Sequence, residues 1–312
     1  MPSTIIVAPP RSGGGLLAAL LERSTPLVAG PLSVGHPIDE VAGLGADERS
    51  THRLTGADAI DWGYSPDGSV VEWSPRLGLR LGFLAATIPD ARCVVMMRRP
   101  IPTISSLMRA RRSGRFATVA DLPGWWGEPW SFGLVPGWPE LIGAPPAEVA
   151  ARQWATCVEA MLDDLEGVDP ARWIGTSYER LVDDPDAEVA RLTQWLGLES
   201  AALPDPLPLS AGTLAPPEPH KWQADASEIV VMLPSLSATV QRWESFRDAH
   251  APEPAEWDGG EGPITRPEQQ RTTMASAGTP FSSQHTSTVP ELLGLTNSSV
   301  VVTTYKSGHV IF

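Results

Sequence analysis

The apolar residues of the chain fall into short uninterrupted runs that alternate with longer stretches of mixed character. A short run bounded by Gly, Pro or charged residues is typical of a buried strand, whereas apolar residues spaced three and four apart indicate a helix with one buried face. The pattern predicts strands at residues 5–7, 70–72, 93–97 and 173–177. It predicts a helix that begins near residue 16, and others at 77–86, 101–112, 147–165 and 187–196. This order predicts an α/β fold in which helices flank a parallel sheet.

A Gly- and Pro-rich insertion separates Arg115 from the helix predicted at 147–165, and it contains Trp125, Trp126, Trp130 and Trp138. We expect no regular element within it. Its length suits a lid or a binding loop. Its tryptophans suit a separate hydrophobic cluster beneath a loop equally well.

The composition changes after about Pro252. Residues 251–288 are rich in Pro, Gly, Ser, Thr and Gln, which is typical of a linker. The last segment, "SSVVVTTYKSGHVIF", predicts a strand, a turn and the start of a second strand. We therefore predict a first domain at 1–250, a linker at 251–288 and a β-rich tail at 289–312. We expect the tail to begin a second, mainly β, domain that this chain does not complete.

The charge is unevenly distributed. The formal net charge is −14, which argues against general binding of nucleic acid. Residues 92–115 nevertheless hold seven arginines and no acidic residue. This window is a candidate local anion site, and the alternative is a solvated helix face.

The cysteine content and the lack of long apolar segments argue against a disulfide-rich, Cys-rich metal-binding or membrane-spanning protein. Cys93 and Cys157 are too few for a disulfide framework or a Cys-rich metal site, and we expect two buried thiols. We see no signal peptide at the N-terminus and no stretch long enough for a membrane span. We expect a cytoplasmic protein that binds no metal.

The segment "APPRSGGGLL", Ala8 to Leu17, joins the first predicted strand to the first predicted helix. Its glycines let main-chain N–H groups face one point, and the helix that follows adds the positive end of its dipole. Arg11 can add a charge-assisted contact. The segment predicts a phosphate site, although it is not a Walker A motif because no Gly-Lys-Ser/Thr follows the glycines.

A second candidate phosphate site lies in "VVMMRRPIPTISSLMRA". Arg98 follows the strand at 93–97, at the edge where open parallel sheets bind ligands. Ser105 and Ser106 lie two turns into the next helix, and one of them can face Arg98. The alternative for Arg98 is a salt-bridged strand end. Two such sites imply a ligand with phosphates at two positions.

Five segments, taken in order, resemble the sulfotransferases that use 3′-phosphoadenosine 5′-phosphosulfate (PAPS), in particular bacterial relatives of the carbohydrate type. They are "PPRSGGGLL", "VVEWSPRLGLRLGFLAATIPDAR", "RRPIPTISS", "TSYERLVDDP" and "PPEPHKWQ". The resemblance covers about residues 4–245. It implies the sulfotransferase variant of a P-loop-like parallel sheet, PAPS as donor, PAP as product, and a small-molecule, lipid or sugar hydroxyl as acceptor.

The resemblance also implies roles for individual residues. Arg11 would stabilise the leaving group, Arg98 and Ser106 would hold the 3′-phosphate, and Tyr178 would lie near the adenine. Lys221, one of only two lysines in the chain, and Trp222 would close the cofactor site. The 5′-phosphate would bind the main-chain N–H groups of Ser12, Gly13, Gly14, Gly15 and Leu16.

The general base has two candidates. Glu72, at the end of the second strand, matches a catalytic glutamate of the carbohydrate sulfotransferases, and its alternative role is an ion pair with Arg76 or Arg80. His36, in "SVGHPID", is the rival base, and its alternative is a polar surface residue. Either group would accept the proton of the acceptor hydroxyl.

The chain departs from the family pattern at three positions. Gly14 and Gly15 stand where the family has threonines, and Trp73 stands where it has a lysine. These losses leave open a catalytically inactive nucleotide-binding module of the same fold. A kinase-like P-loop enzyme is a third possibility. It is disfavoured because the sequence has no Gly-Lys-Ser/Thr and no clear Mg²⁺-binding acidic strand end.

Overall fold

The structure, a computed structural model, describes residues 3–30, 70–88, 90–119, 122–204, 212–214 and 220–252. The strands in this part are β1 (Thr4–Val7), β2 (Val28–Ala29), β3 (Val70–Trp73), β4 (Arg92–Met97), β5 (Ala117–Val119), β6 (Trp130–Ser131) and β7 (Trp173–Ser177). Five of them form a sheet in the order β2–β3–β1–β4–β7, with every neighbouring pair parallel. The predicted parallel α/β sheet is therefore confirmed.

The described α-helices are α1 (Gly14–Ser24), α2 (Leu81–Thr87), α3 (Pro100–Arg112), α4 (Pro146–Leu165), α5 (Tyr178–Asp183), α6 (Pro185–Leu196), α7 (Ala226–Val230) and α8 (Ser237–His250). Short 3₁₀ turns occur at Leu77–Leu79, Trp138–Leu141, Pro170–Arg172, Lys221–Asp225 and Leu233–Leu236. The helix predicted at 77–86 is thus a 3₁₀ turn followed by α2. The other predicted strands and helices agree with the structure to within about two residues.

Each face of the sheet packs against its own helices. In β1, Ile5 and Val7 lie on the face that α3 and α4 cover, whereas Ile6 lies on the face that α1 and α6 cover. Successive side chains of a strand point to opposite faces, so β4 divides its residues in the same way. Burial on both faces explains why these strands are continuous apolar runs and not alternating ones.

The carboxyl ends of the strands meet at one edge of the sheet, because the strands are parallel. Ile6 of β1 pairs with Trp73 of β3, and Met97 of β4 pairs with Ser177 of β7. The segment joining β1 to α1 therefore lies beside the ends of β3, β4 and β7. This register gathers the predicted phosphate-binding residues at the same edge.

The tryptophan-rich insertion contains regular structure, so the expectation of none was wrong. β5 and β6 pair antiparallel, and both are too short to show an alternating pattern in the sequence. Trp130 is fully buried in a satellite cluster with Leu141 and Val149, while Trp126 is 69% exposed.

Both cysteines are buried free thiols, as predicted. Burial raises the pKa of Cys93 to about 11 and that of Cys157 to about 12, so both are protonated at neutral pH. None of the described helices has the length and apolar character needed to cross a membrane. Among the same residues, no group of three or more His, Cys, Asp or Glu side chains could hold a metal ion.

Some predictions fall outside the described residues. His36 is among them, as are residues 253–312, which include almost all of the predicted linker and the whole β-rich tail. The domain boundaries therefore stay predictions.

A buried carboxylate links helix α6 to the neighbouring strand β7 and helix α5. Glu188 of α6 is 2% exposed and accepts hydrogen bonds from Thr176 Oγ1 (2.5 Å), Arg180 Nε (2.9 Å) and Arg191 Nη2 (2.5 Å). Burial raises the pKa of Glu188, but these hydrogen bonds outweigh it and hold the pKa below its ordinary value. The ionised Glu188 thus links α6 to β7 and to α5.

We expect Glu188→Gln to lower the free energy of unfolding by about 2 kcal/mol at pH 7, because hydrogen bonds to a charged group are lost. The wild-type advantage should be complete above the ordinary carboxyl pKa of about 4.3. It should disappear as the pH falls through the lowered value of the folded state. Urea unfolding from pH 3 to 7 measures both effects. The exposed Glu199→Gln is the matched control, and an equal loss in the two variants would contradict the assignment.

Candidate functional site

The loop between β1 and α1 has a constrained backbone. Ser12 N–H donates to the carbonyl of Pro9 at 3.2 Å, closing a turn, and Gly13 has φ 95°. Arg11 has φ 70°, a conformation that side-chain-bearing residues seldom adopt and that is often found at functional sites. The loop therefore holds Arg11 in a fixed, strained position at the edge of the sheet.

The guanidinium of Arg11 reaches helix α3. Its Nε donates to Ser106 Oγ at 3.0 Å, and its Nη1 donates to the carbonyl of Gly212 at 2.7 Å. The same group lies over the ring of Phe116, 5.1 Å from the centroid. The two motifs singled out in the sequence, one in the glycine loop and one in α3, thus meet in space.

Arg98 lies directly after β4 and contacts the loop from the other side. It is 6% exposed, and its Nη1 donates to the carbonyl of Arg11 at 3.2 Å. Its guanidinium lies 4.1 Å from the ring centroid of Tyr178, the first residue of α5. An ideal Cβ on Gly13 would be 2.6 Å from Tyr178 Cδ2, so the ring is packed between Arg98 and the loop. Tyr178 therefore supports both groups, a contact that the sequence did not predict.

The electrostatics of this cluster favour an anion. The pKa of Arg11 is lowered to about 10, mainly by burial and then by the positive charge of Arg98. Tyr178 acts in the opposite direction, and Arg115 adds a smaller lowering effect. Crowding of like charges away from water costs free energy, which a bound anion would recover. Arg11 is still charged at pH 7.

Ser12 adds a buried hydroxyl to the loop. The residue is fully buried, and its Oγ has no hydrogen-bond partner within the part of the chain that the structure describes. A buried polar atom of this kind calls for a partner. It lies just before the first turn of α1, and the N-terminal end of a helix favours an anion. The N–H of Leu16, which was predicted to bind phosphate, instead donates to the carbonyl of Gly13 at 2.9 Å.

Glu72 lies at the end of β3 and is fully buried. Its carboxylate packs against Gly30, since an ideal Cβ there would be 2.1 Å from Oε1. Its rival His36 lies outside the described residues, so the identity of the base stays a prediction.

Lys221 and Trp222 belong to a 3₁₀ turn that is fastened to α3. Arg109 donates a hydrogen bond to the carbonyl of Lys221. Asp225, at the end of the turn, accepts from Ser105 Oγ (2.7 Å), Arg109 Nε (3.0 Å) and Arg112 Nη1 (3.0 Å). The turn is therefore attached to the helix that carries Ser106.

Asp225 is a structural anchor that sequence reasoning missed. Burial raises its pKa, but the three hydrogen bonds outweigh this and keep the pKa below its ordinary value. One signal was present in the sequence, because a helix with several arginines and no acidic residue requires a counterion from elsewhere.

The seven arginines of residues 92–115 do not form a single anion site. Arg98 belongs to the cluster described above, Arg109 and Arg112 pair with Asp225, and Arg92 contacts Trp195 at the opposite end of β4. Arg111 is buried near the rings of Trp125 and Trp130, at 5.5 and 5.4 Å from their centroids. The expectation of one anion site across the window was therefore wrong for most of its members.

Comparison with known proteins finds similarity to sulfotransferases. A model of the sulfotransferase family matches residues 58–202, a segment that contains Glu72, Arg98, Ser106 and Tyr178. The resemblance inferred from the motifs is thus confirmed at the level of this family. No match is found among curated proteins.

Several solved structures of sulfotransferases are similar to this one. The sulfotransferase domain of the curacin biosynthetic pathway is 19% identical, with a TM-score of 0.41 over 68% of this chain and 76% of that domain. A sulfotransferase from Alicyclobacillus acidocaldarius is 16% identical, with a TM-score of 0.43 over 77% of this chain and 96% of its own. The sulfotransferase STF9 from Mycobacterium avium is 15% identical, with a TM-score of 0.40 over 80% of this chain and 76% of its own.

We expect inorganic sulfate to raise the melting temperature of the wild type, and Arg11→Met to abolish most of this rise. At a hundredfold excess of ligand over Kd, linkage predicts about 2.7 kcal/mol of stabilisation. Arg152→Met, which removes an exposed arginine paired with Glu140, is the matched control. Because Arg11 loses its proton as pH rises through about 10, the effect of sulfate should hold up to pH 9 and decline above pH 10. Equal responses in the two variants would argue against an anion site at Arg11.

Proposed function

We propose that the protein is a sulfotransferase that takes the sulfuryl group from PAPS and transfers it to an acceptor hydroxyl. One observation carries the proposal: Arg11, Arg98 and Ser106 converge at the carboxyl edge of the sheet, although Arg11 and Ser106 are 95 residues apart. Two arginines and a hydroxyl gathered at one edge suit an anionic ligand, and we assign them to a ligand with two phosphate positions. The match to the sulfotransferase family supports this assignment.

The residues of the cluster would divide the donor between them. Arg11 would hold the bridging oxygen and stabilise the charge that develops on the leaving group. Ser12 and the first turn of α1 would bind the 5′-phosphate, whereas Arg98 and Ser106 would bind the 3′-phosphate. Lys221 and Trp222, held to α3 through Asp225, would cover the nucleotide.

The reaction requires a group that accepts one proton. The acceptor oxygen forms a new S–O bond, the S–O bond to the 5′-phosphate breaks, and PAP leaves with the electron pair. Glu72 or His36 would take the proton of the acceptor hydroxyl. We favour Glu72, because it lies near the carboxyl end of β3, the strand that pairs with β1, and is shielded from water.

We further propose a small-molecule, lipid or sugar acceptor. The tryptophan-rich insertion supports an apolar or sugar-like molecule, since aromatic faces suit both. We also propose a cytoplasmic location and no bound metal. The linker at 251–288 and the β-rich tail that follows it stay predictions from the sequence.

The second candidate is an inactive module that binds the nucleotide without turnover. The indole of Trp73 lies against Gly14. In the sulfotransferases that the chain resembles, position 73 is a lysine and position 14 is a threonine. The loop therefore has fewer polar groups with which to activate the donor.

Arg98→Ala tests the 3′-phosphate assignment. We expect it to weaken PAP binding by about 10- to 100-fold, because a charge-assisted contact is lost. Adenosine 5′-phosphate, which has a 3′-hydroxyl, should lose less than about threefold. Isothermal titration measures both ligands. Arg92→Ala, at the opposite end of the same strand, is the control and should change neither affinity. An equal loss for the two nucleotides would contradict the assignment.

Glu72→Gln tests the reaction and separates the two candidates. We expect the wild type to release PAP from PAPS in the presence of suitable acceptor hydroxyls, and the variant to lose about 100-fold in rate while it still binds PAP. The measurement is PAP release across a panel of phenols, lipid alcohols and sugars. Binding without turnover in the wild type would favour the inactive module, and no binding would refute both candidates.

A further inference from the structure

The first residue of α1 has no room for a side chain. An ideal Cβ on Gly14 would lie 2.2 Å from Cζ3 of Trp73 and 2.5 Å from both Cε3 and Cη2 of the same ring. Ordinary contacts of a Cβ are 3.4–4 Å, so even alanine would collide with the indole. Gly14 is not among the glycines with positive φ, so it is required for space and not for backbone freedom.

Trp73 reaches Gly14 because of the register of the sheet. It is the last residue of β3 and pairs with Ile6 of β1, the strand that leads into the loop. Alternation places it with Val71 on the face that α1 covers, where it packs on the cluster that includes Leu17. The ring is therefore fixed by the strand on one side and by the helix on the other.

Gly13 is required for a different reason from Gly14. Its φ of 95° already favours glycine, and a Cβ there would also meet Tyr178 and Met96 at 2.6 and 2.9 Å. Two rings from different strand ends thus bracket the loop, Tyr178 at Gly13 and Trp73 at Gly14. Of these two loop glycines, Gly14 is the one restricted by a neighbouring side chain alone.

We propose that Trp73 is a positioning residue for the phosphate loop, and that Trp73 and Gly14 act as one packing unit. The indole fixes the first turn of α1 by close contact, in a loop that lacks hydroxyl side chains at positions 14 and 15. Such support is independent of charge and comes from many small dispersion contacts. The inference rests on the proposed function only where a nucleotide is the probe.

A double-mutant cycle in PAP affinity tests the unit. Gly14→Ala alone should weaken PAP binding at least about tenfold, because overpacking displaces the loop. Trp73→Leu alone should weaken it by about threefold, since the first turn of α1 loses its support. The double variant should bind better than Gly14→Ala, because the smaller side chain makes room for the Cβ.

Two controls separate positioning from a general loss of packing. Trp73→Leu should not rescue Gly13→Ala, since the positive φ and Tyr178 still exclude a side chain there. Trp195→Leu, which also removes a partly buried indole but at the opposite edge of the sheet, should leave PAP affinity unchanged. Rescue of Gly13→Ala, or an equal loss in Trp195→Leu, would overturn the proposal.

The outcome is distinct from that of the proposed function. If the wild type binds PAP and the effects of Gly14→Ala and Trp73→Leu simply add, the positioning role is refuted while the function stands. If the wild type does not bind PAP, the function fails, and the same cycle is read from the rise in melting temperature with inorganic phosphate. Rescue in that cycle supports the packing unit, and additivity or the absence of any rise overturns it.

Discussion

The hydrogen bond from Arg98 to the carbonyl of Arg11, made over the ring of Tyr178, is the contact on which the site depends. It joins the end of β4 to the loop after β1, and Tyr178 adds the end of β7. Because the strands are parallel, three separate segments arrive at the same edge with their polar ends together. The hydrophobic layers on both faces of the sheet keep these ends in register.

The site is held at some cost to the stability of the fold. Arg11 adopts a left-handed backbone conformation, and its guanidinium is buried close to Arg98. Both features are unfavourable in the absence of a ligand, and such costs are common where a protein is shaped for binding. Ion pairs elsewhere in the structure stabilise the fold and offset these costs. Glu188 and Asp225 each bind two arginines.

The sequence predicted the positions of the strands better than the contacts that individual side chains make. Strands β1, β3, β4 and β7 are apolar runs that periodicity identifies, and Arg11, Arg98 and Ser106 stand out by residue type and spacing. The density of arginines between 92 and 115 was misleading, because helical geometry sends residues 105, 109 and 112 to Asp225 and residue 111 towards tryptophans. The arginine-rich helix signals a need for a counterion, but the local pattern does not show that Asp225 supplies it. The hairpin of β5 and β6 is likewise missed, because its strands are too short to give a pattern.

The fit of Trp73 against Gly14 also restricts how this loop can change over evolutionary time. Any side chain gained at position 14 meets a bulky ring, whereas a smaller residue at position 73 leaves position 14 free to vary. The order of substitution is therefore fixed, with position 73 first and position 14 second. Loss of the ring at position 73 thus has to precede a hydroxyl side chain at position 14, so the residue at the end of β3 determines what the start of α1 tolerates.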